Sequence, residues 1–122
     1  MNLILKTVPE FESVWQAHIE YWGDDVAGLS NDLNEFSAFM IGNITEVSGL
    51  TKQNIFLLVE ELLNTGDVEV KDAIATCFLE NLLNAVSDNK LSSNEFVHFL
   101  GKESRNYCKS WDGYTGVETP NL

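Results

Sequence analysis

From Asp67 to Val86 the chain reads DVEVKDAIATCFLENLLNAV, and its apolar residues Val70, Ala73, Ile74, Cys77, Phe78, Leu82 and Val86 recur at intervals of three and four. That spacing makes a continuous stripe of i, i+3 and i+4 neighbours along an α-helix, whereas a strand would turn Ala73 and Cys77 to the face opposite the other five, so the pattern predicts a helix. The same period governs most of the chain. Phe11, Val14, Trp15, His18, Ile19 and Trp22 form an earlier stripe, and Thr7-Val-Pro-Glu10 ahead of it matches a capping box, with Pro9 in a first turn where a missing N–H costs nothing. A second helix is expected from a cap at Asp24 or Asp25, carrying Val26, Leu29, Leu33, Phe36, Met40, Ile44 and Val47, with Gly28 and Gly42 weakening its continuity.

Thr51 is placed to cap the next helix, KQNIFLLVEELLNTG, with Leu50 and Ile55 as a hydrophobic staple and Gly66 at its end. Asp67 opens the helix after it. The short linker predicts a central antiparallel αα-hairpin. Ser92-Ser-Asn-Glu95 repeats the capping-box pattern ahead of FVHFL, Gly101 either stops that helix or sits within it, and Tyr107, Cys108 and Trp111 continue its phase. LILKTV near the start alternates in part, but a lone edge segment cannot make a sheet. The expectation is an all-α fold: one compact domain over residues 1–122, a bundle of five or six helices.

A chain of 122 residues, 44% of them hydrophobic, is long enough for one core. No apolar run reaches the roughly 18 residues of a membrane span, and the N-terminus lacks the basic and cleavage-site features of a secretory signal, so a cytoplasmic protein with no membrane partner is expected. Cys77 and Cys108 lack CxxC spacing and read as reduced thiols in or near the core. The charge is uneven. Nineteen acidic residues face seven basic ones, for a net charge of -12, and no Lys or Arg occurs between Lys6 and Lys52. Such a surface repels phosphate backbones, which disfavours direct nucleic-acid binding, and it attracts cationic proteins.

Catalytic and metal signatures are lacking. His18 and His98 lie in apolar helical stripes with no second His or Cys at ligand spacing, and each is expected in or near the core. The adjacent pairs Glu60-Glu61 and Asp24-Asp25 point about 100° apart on a helix and do not share a site. With no GxSxG, P-loop or GxGxxG motif, neither an enzyme nor a cofactor is expected. On a wheel of the second helix the apolar positions fill an arc of roughly 80°, and Asp24, Asp25, Asp32, Glu35 and Glu46 fill one of similar width on its flank. Phe39 projects into that acidic arc. An apolar anchor among carboxylates suits a partner bringing Lys or Arg, so Asp24, Asp25, Asp32, Glu35, Phe39 and Glu46 are the candidate contacts.

GDVEVKDAIATCFLENLLN, followed by FLGKESRNYCKSWDGYTG, resembles a group of small helical bacterial proteins that look like immunity proteins of polymorphic or contact-dependent toxin systems. The resemblance rests on Gly66-Asp67, Ala75-Thr76 with Leu79-Glu80, Phe99-Leu100-Gly101, Ser104-Arg105, and Trp111-Asp112 with Thr115-Gly116, about the C-terminal half. It implies a protein that binds a cognate toxin and occludes a cationic active site or exosite, with a nuclease as the expected target. Two other readings remain open. One is an acidic nucleic-acid mimic that inhibits a DNA-binding protein; the other is a HEAT-like scaffold module built on the Thr51 to Val86 pair. In the last residues, SWDGYTGVETPNL, Trp111 belongs to a buried helical face, Asp112-Gly113 reads as a stop, Tyr114 as folding back on the bundle, and 117–122 as a mobile end.

Overall fold

The computed structural model describes residues 1–25 and 27–122, so the place of Val26 on the second apolar stripe lies outside the described residues. The described chain is all-helical. Seven α-helices, where five or six were expected, run as α1 (Asn2–Thr7), α2 (Glu12–Trp22), α3 (Leu29–Asn43), α4 (Gly49–Thr65), α5 (Val68–Ile74), α6 (Glu80–Ser87) and α7 (Lys102–Thr115). A single π-turn, Ala75–Leu79, joins α5 to α6 without a break.

Several helix starts differ from those expected. The segment set aside as a partial strand forms α1, which buries Ile4, and the Thr7 hydroxyl donates back to the Leu3 carbonyl at 2.8 Å instead of capping the next helix. Pro9 then opens a 3-10 turn, Pro9–Phe11, ahead of α2. Neither Asp24 nor Asp25 caps α3, which is preceded by Gly28 at φ 87° and has no side-chain cap. Ser48, not Thr51, caps α4 by accepting the Thr51 N–H, which leaves Leu50 inside the helix and 70% exposed, unable to staple Ile55.

Asp67 caps α5 as expected, accepting the Val70 N–H at 2.9 Å. Gly66 permits the close approach before it: a Cβ there would lie 2.6 Å from the Leu62 carbonyl and 2.8 Å from Val70 Cγ1. After α6 the expected FVHFL helix is replaced by two 3-10 turns, Ser93–Glu95 and Val97–Phe99. Tertiary partners explain this. Glu95 pairs with Lys52 of α4 at 2.7 Å instead of closing a capping box, and Arg105 takes the Val97 carbonyl at 2.8 Å.

The core runs along a chain of phenylalanines, each at most 1% exposed. Phe11 meets Phe36 of α3 edge-on at 5.1 Å between centroids, and Phe36 stacks on Phe78 of the π-turn at 5.6 Å. Phe78 touches Phe56 of α4 at 5.9 Å, and Phe56 stacks on Phe96 at 6.2 Å. Beside this path Asn81 donates its side-chain amide to the Cys77 carbonyl (2.8 Å), to Asn34 Oδ1 (2.9 Å) and to Ser37 Oγ (2.9 Å), tying the π-turn region to α3.

Glu60 of α4 caps α7 from outside that helix. Its carboxylate accepts the N–H groups of Glu103 (2.8 Å) and Ser104 (2.9 Å) and the Ser104 hydroxyl (2.8 Å). These N–H groups are orphan donors of a helix N-terminus, where a negative charge is also favoured by the dipole. Gly101 is therefore neither a stop nor a helix interior. It precedes α7 because a Cβ there would meet the Glu60 carboxyl at 2.5 Å.

At its other end α7 continues through Asp112-Gly113 to Thr115 and stops at left-handed Gly116, φ 79°. Asp112 accepts the Thr119 N–H (2.7 Å) and hydroxyl (2.9 Å), and Asn121 reaches Asn94. Tyr114 does not fold back; it is 92% exposed, because the longer helix carries it outward.

The phenylalanine chain and the Glu60 cap contribute to stability in separable ways. Phe78→Ala empties the middle of the phenylalanine chain and should cost about 3–5 kcal/mol in urea unfolding, whereas the exposed Leu57→Ala should fall within about 0.5 kcal/mol of wild type. Burial pushes the Glu60 carboxyl up, but hydrogen bonds from Glu103, Ser104 and Asn64 outweigh it and hold it below its ordinary value of 4.5. A folded value lower than the unfolded one gives stability that is complete above the unfolded value and lost as pH falls through the folded one. Glu60→Gln should thus cost about 1–2 kcal/mol at neutral pH, and its deficit against wild type should shrink as urea titrations move below pH 4.5.

Candidate functional site

Trp15, His18, Ile19 and Trp22 succeed one another at helical spacing along α2, and only His18 of the four is buried. His18 Nε2 lies 2.9 Å from Oδ1 of Asp32, in the first turns of α3, and this pair joins the two helices. Indole rings flank the imidazole, Trp15 at 5.5 Å and Trp22 at 6.4 Å between centroids. Of the stripe read along the first helix, Phe11 and His18 are covered by α3, and Val14 and Trp15 are half-buried against the core. Ile19 remains 42% exposed and Trp22 half-buried, with Tyr21 beside them 85% exposed.

Two surface depressions border this ladder, and His18 and Trp22 line both. The wider, about 660 Å³, is an open groove between α2 and α3 reached by Val14, Tyr21, Asn34 and Glu35. The narrower, about 170 Å³, takes in Trp15 and Ile19 together with Asp25 from the α2–α3 loop and Asp32. Gly23, at φ 59°, turns the chain after α2 and lines the same pocket.

The six expected contacts separate. Asp25, Asp32 and Glu35 line the depressions, and Asp24 is exposed in the adjoining loop. The helical wheel puts Asp24 and Asp25 on the face of a helix; they precede α3, and Asp25 lines the narrow pocket with Asp32 from the loop. Phe39 turns inward, half-buried and 5.4 Å from Phe11, so it packs against the core and does not project as a free anchor. Glu46 is exposed in a 3-10 turn beyond the far end of α3, roughly 20 Å from Asp32 along the axis at 1.5 Å per residue. The apolar anchors at this face are Ile19, Tyr21 and Trp22. Periodicity identifies a stripe without saying what covers it, and Tyr21 is out of phase, so no sequence signal singled them out.

Other titratable groups are committed elsewhere. The Tyr107 hydroxyl donates to Glu80, and burial together with that carboxylate pushes the phenol above its ordinary range. Cys108 is fully buried, its thiol pushed up to about 12 by burial and by Asp112, with Arg105 partly opposing. Cys77 is half-buried, and both thiols are free. His98 is exposed against Phe99 and not in the core, because the 3-10 turn replaces the helical face it was assigned to. Among the described residues no three His, Cys, Asp or Glu side chains are grouped to hold a metal ion, and no helix is long and apolar enough to cross a membrane.

Over residues 1–115 the chain matches the family described as Domain of unknown function (DUF7674), and it belongs to that family. No curated protein and no solved structure matches the chain.

The two aspartates of the narrow pocket should separate in their effect on folding. Asp32→Ala leaves the buried His18 without its partner and should cost about 1–3 kcal/mol. Asp25→Ala, at an exposed loop position, should stay within about 0.5 kcal/mol of wild type. Thermal and urea unfolding of the two variants read the difference directly.

Proposed function

We propose that this protein is an inhibitor of the immunity type, which docks the α2–α3 face onto a cationic surface of a cognate bacterial toxin domain and blocks it stoichiometrically by occlusion. The observation that carries the reading is that half-buried Trp22 lines two adjoining depressions, one with exposed Tyr21 and with Glu35, the other with exposed Ile19 and with Asp25 and Asp32. Aromatic anchors bordered by charge are the composition of an interface hot spot, and the chain offers no Lys or Arg between Lys6 and Lys52 to oppose a basic partner. Inhibition takes place in the cytoplasm, where the toxin would act.

A nuclease is the target that best fits this charge. Its active-site groove must be cationic to hold phosphate, and a surface rich in carboxylates competes for that groove or for a basic exosite beside it. Electrostatics would speed the encounter, and the aromatic anchors would slow dissociation. The chain performs no turnover in this mechanism; each copy occupies one toxin domain.

The test is co-purification with the toxin domain encoded immediately upstream, repeated from about 0.1 M to about 1 M salt, where the screening length falls from about 10 Å to about 3 Å. Affinity should drop by at least about tenfold over that range, and Asp24→Asn with Asp25→Asn and Glu35→Gln should reproduce much of the loss at low salt. Glu61→Gln with Glu69→Gln, changing exposed acids on α4 and α5, should leave binding unaffected. Binding equally tight in all salts and variants overturns the electrostatic docking.

A further inference from the structure

The pocket of about 170 Å³ beside His18 has a more specific chemistry than the broad face around it. It is well below the roughly 300–1,000 Å³ of sites that enclose a small molecule or cofactor, and it matches one long side chain. Its lining contains no Lys or Arg, and its charged members are the carboxylates of Asp25 and Asp32. Asp32 gives Oδ1 to His18, and among the described residues Oδ2 has no hydrogen-bond partner, while Asp25 is exposed. Ile19, 42% exposed, offers an apolar surface one helical turn from Trp22, whose indole lines the pocket.

We infer that this pocket receives a single arginine side chain of the partner protein, its methylene stem against Ile19 and its guanidinium on the Trp22 indole, within reach of Asp25 and of Oδ2 of Asp32. This rests on the reading of the α2–α3 face as a docking surface. Arginine fits better than lysine for a physical reason. A flat, weakly hydrated guanidinium stacks on an aromatic plane while its fork of donors reaches carboxylates, whereas an ammonium is a compact and strongly hydrated point charge. The Asp32–His18 pair holds one carboxylate in place before any ligand arrives, so little side-chain freedom is lost on binding at that position.

The probe is N-acetyl-arginine methylamide, titrated into the isotopically labelled protein and followed by backbone and indole N–H resonances. The Trp15 and Trp22 indoles and the amides of Gly23 and Asp25 should move saturably on the order of millimolar ligand, while the Trp111 indole on α7 stays still. The matching citrulline derivative, nearly isosteric but neutral, should produce no saturable shift. Asp25→Asn should weaken the arginine response about tenfold without altering the fold, and Trp22→Leu should weaken it as well. Equal responses to citrulline, lysine binding as tightly as arginine, or shifts indifferent to both substitutions would each overturn the assignment. Failure here alongside salt-sensitive toxin binding refutes this pocket alone. Arginine binding without toxin binding refutes the docking partner and keeps the pocket.

Discussion

The Phe78 ring lies between Phe36 of α3 and Phe56 of α4, and the two halves of the molecule meet through it. On one side Phe36 continues to Phe11, where the chain enters α2; on the other Phe56 continues to Phe96, in the turns that lead to α7. Every ring in this path is fully buried, so each displacement must be absorbed by a neighbour, as in any close-packed interior. The position of α3 against α2, and with it the Asp32–His18 pair, depends on the packing of Phe36 and Phe11. The candidate docking face is thus a surface consequence of an internal constraint.

Acidic residues divide into two populations by what they hold. Glu60 satisfies donors at the start of α7, Glu80 accepts from Tyr107, Glu95 pairs with Lys52, and Asp112 fastens Thr119. These carboxylates join elements of the C-terminal half, where most of the chain's few cations also lie. In the N-terminal half Asp32 makes a comparable contact, to His18, while Asp24 and Asp25 remain exposed. Exposed acids such as Glu61 and Glu69 also occur in the C-terminal half, so what sets the α2–α3 face apart is the uncovered aromatic side chains beside its carboxylates.

Local signals were legible where a single residue could do the local job. Asp67 caps α5 because it stands three residues ahead of the Val70 N–H that it accepts, and the π-turn region buries Phe78 and Leu82 as their spacing requires. The expected start at Thr7 missed because residues 2–7 form a helix of their own that takes the threonine hydroxyl, the one at Asp24 because α3 begins after Gly28 with no side-chain cap, and the one at Thr51 because Ser48 competes for the same job. The capping box at Ser92–Glu95 missed because Lys52, distant in sequence, takes the glutamate. Of the candidate site, Asp25, Asp32 and Glu35 were legible from the placement of charge. Phe39 was not, since a helical wheel gives direction without saying that Phe11 fills the space beyond.

Helical class, the Asp67 start, and the long acidic stretch between Lys6 and Lys52 were determined by the sequence alone, because helical period and formal charge depend only on the order of residues. Tertiary structure decided what those features become. It packed Phe39 against the core and left Ile19 and Tyr21 exposed, since burial of a side chain depends on whether another element passes over it. It also directed Glu60 to the start of α7, more than forty residues away, because free helix-end donors need an acceptor and a carboxylate on α4 was the one in reach.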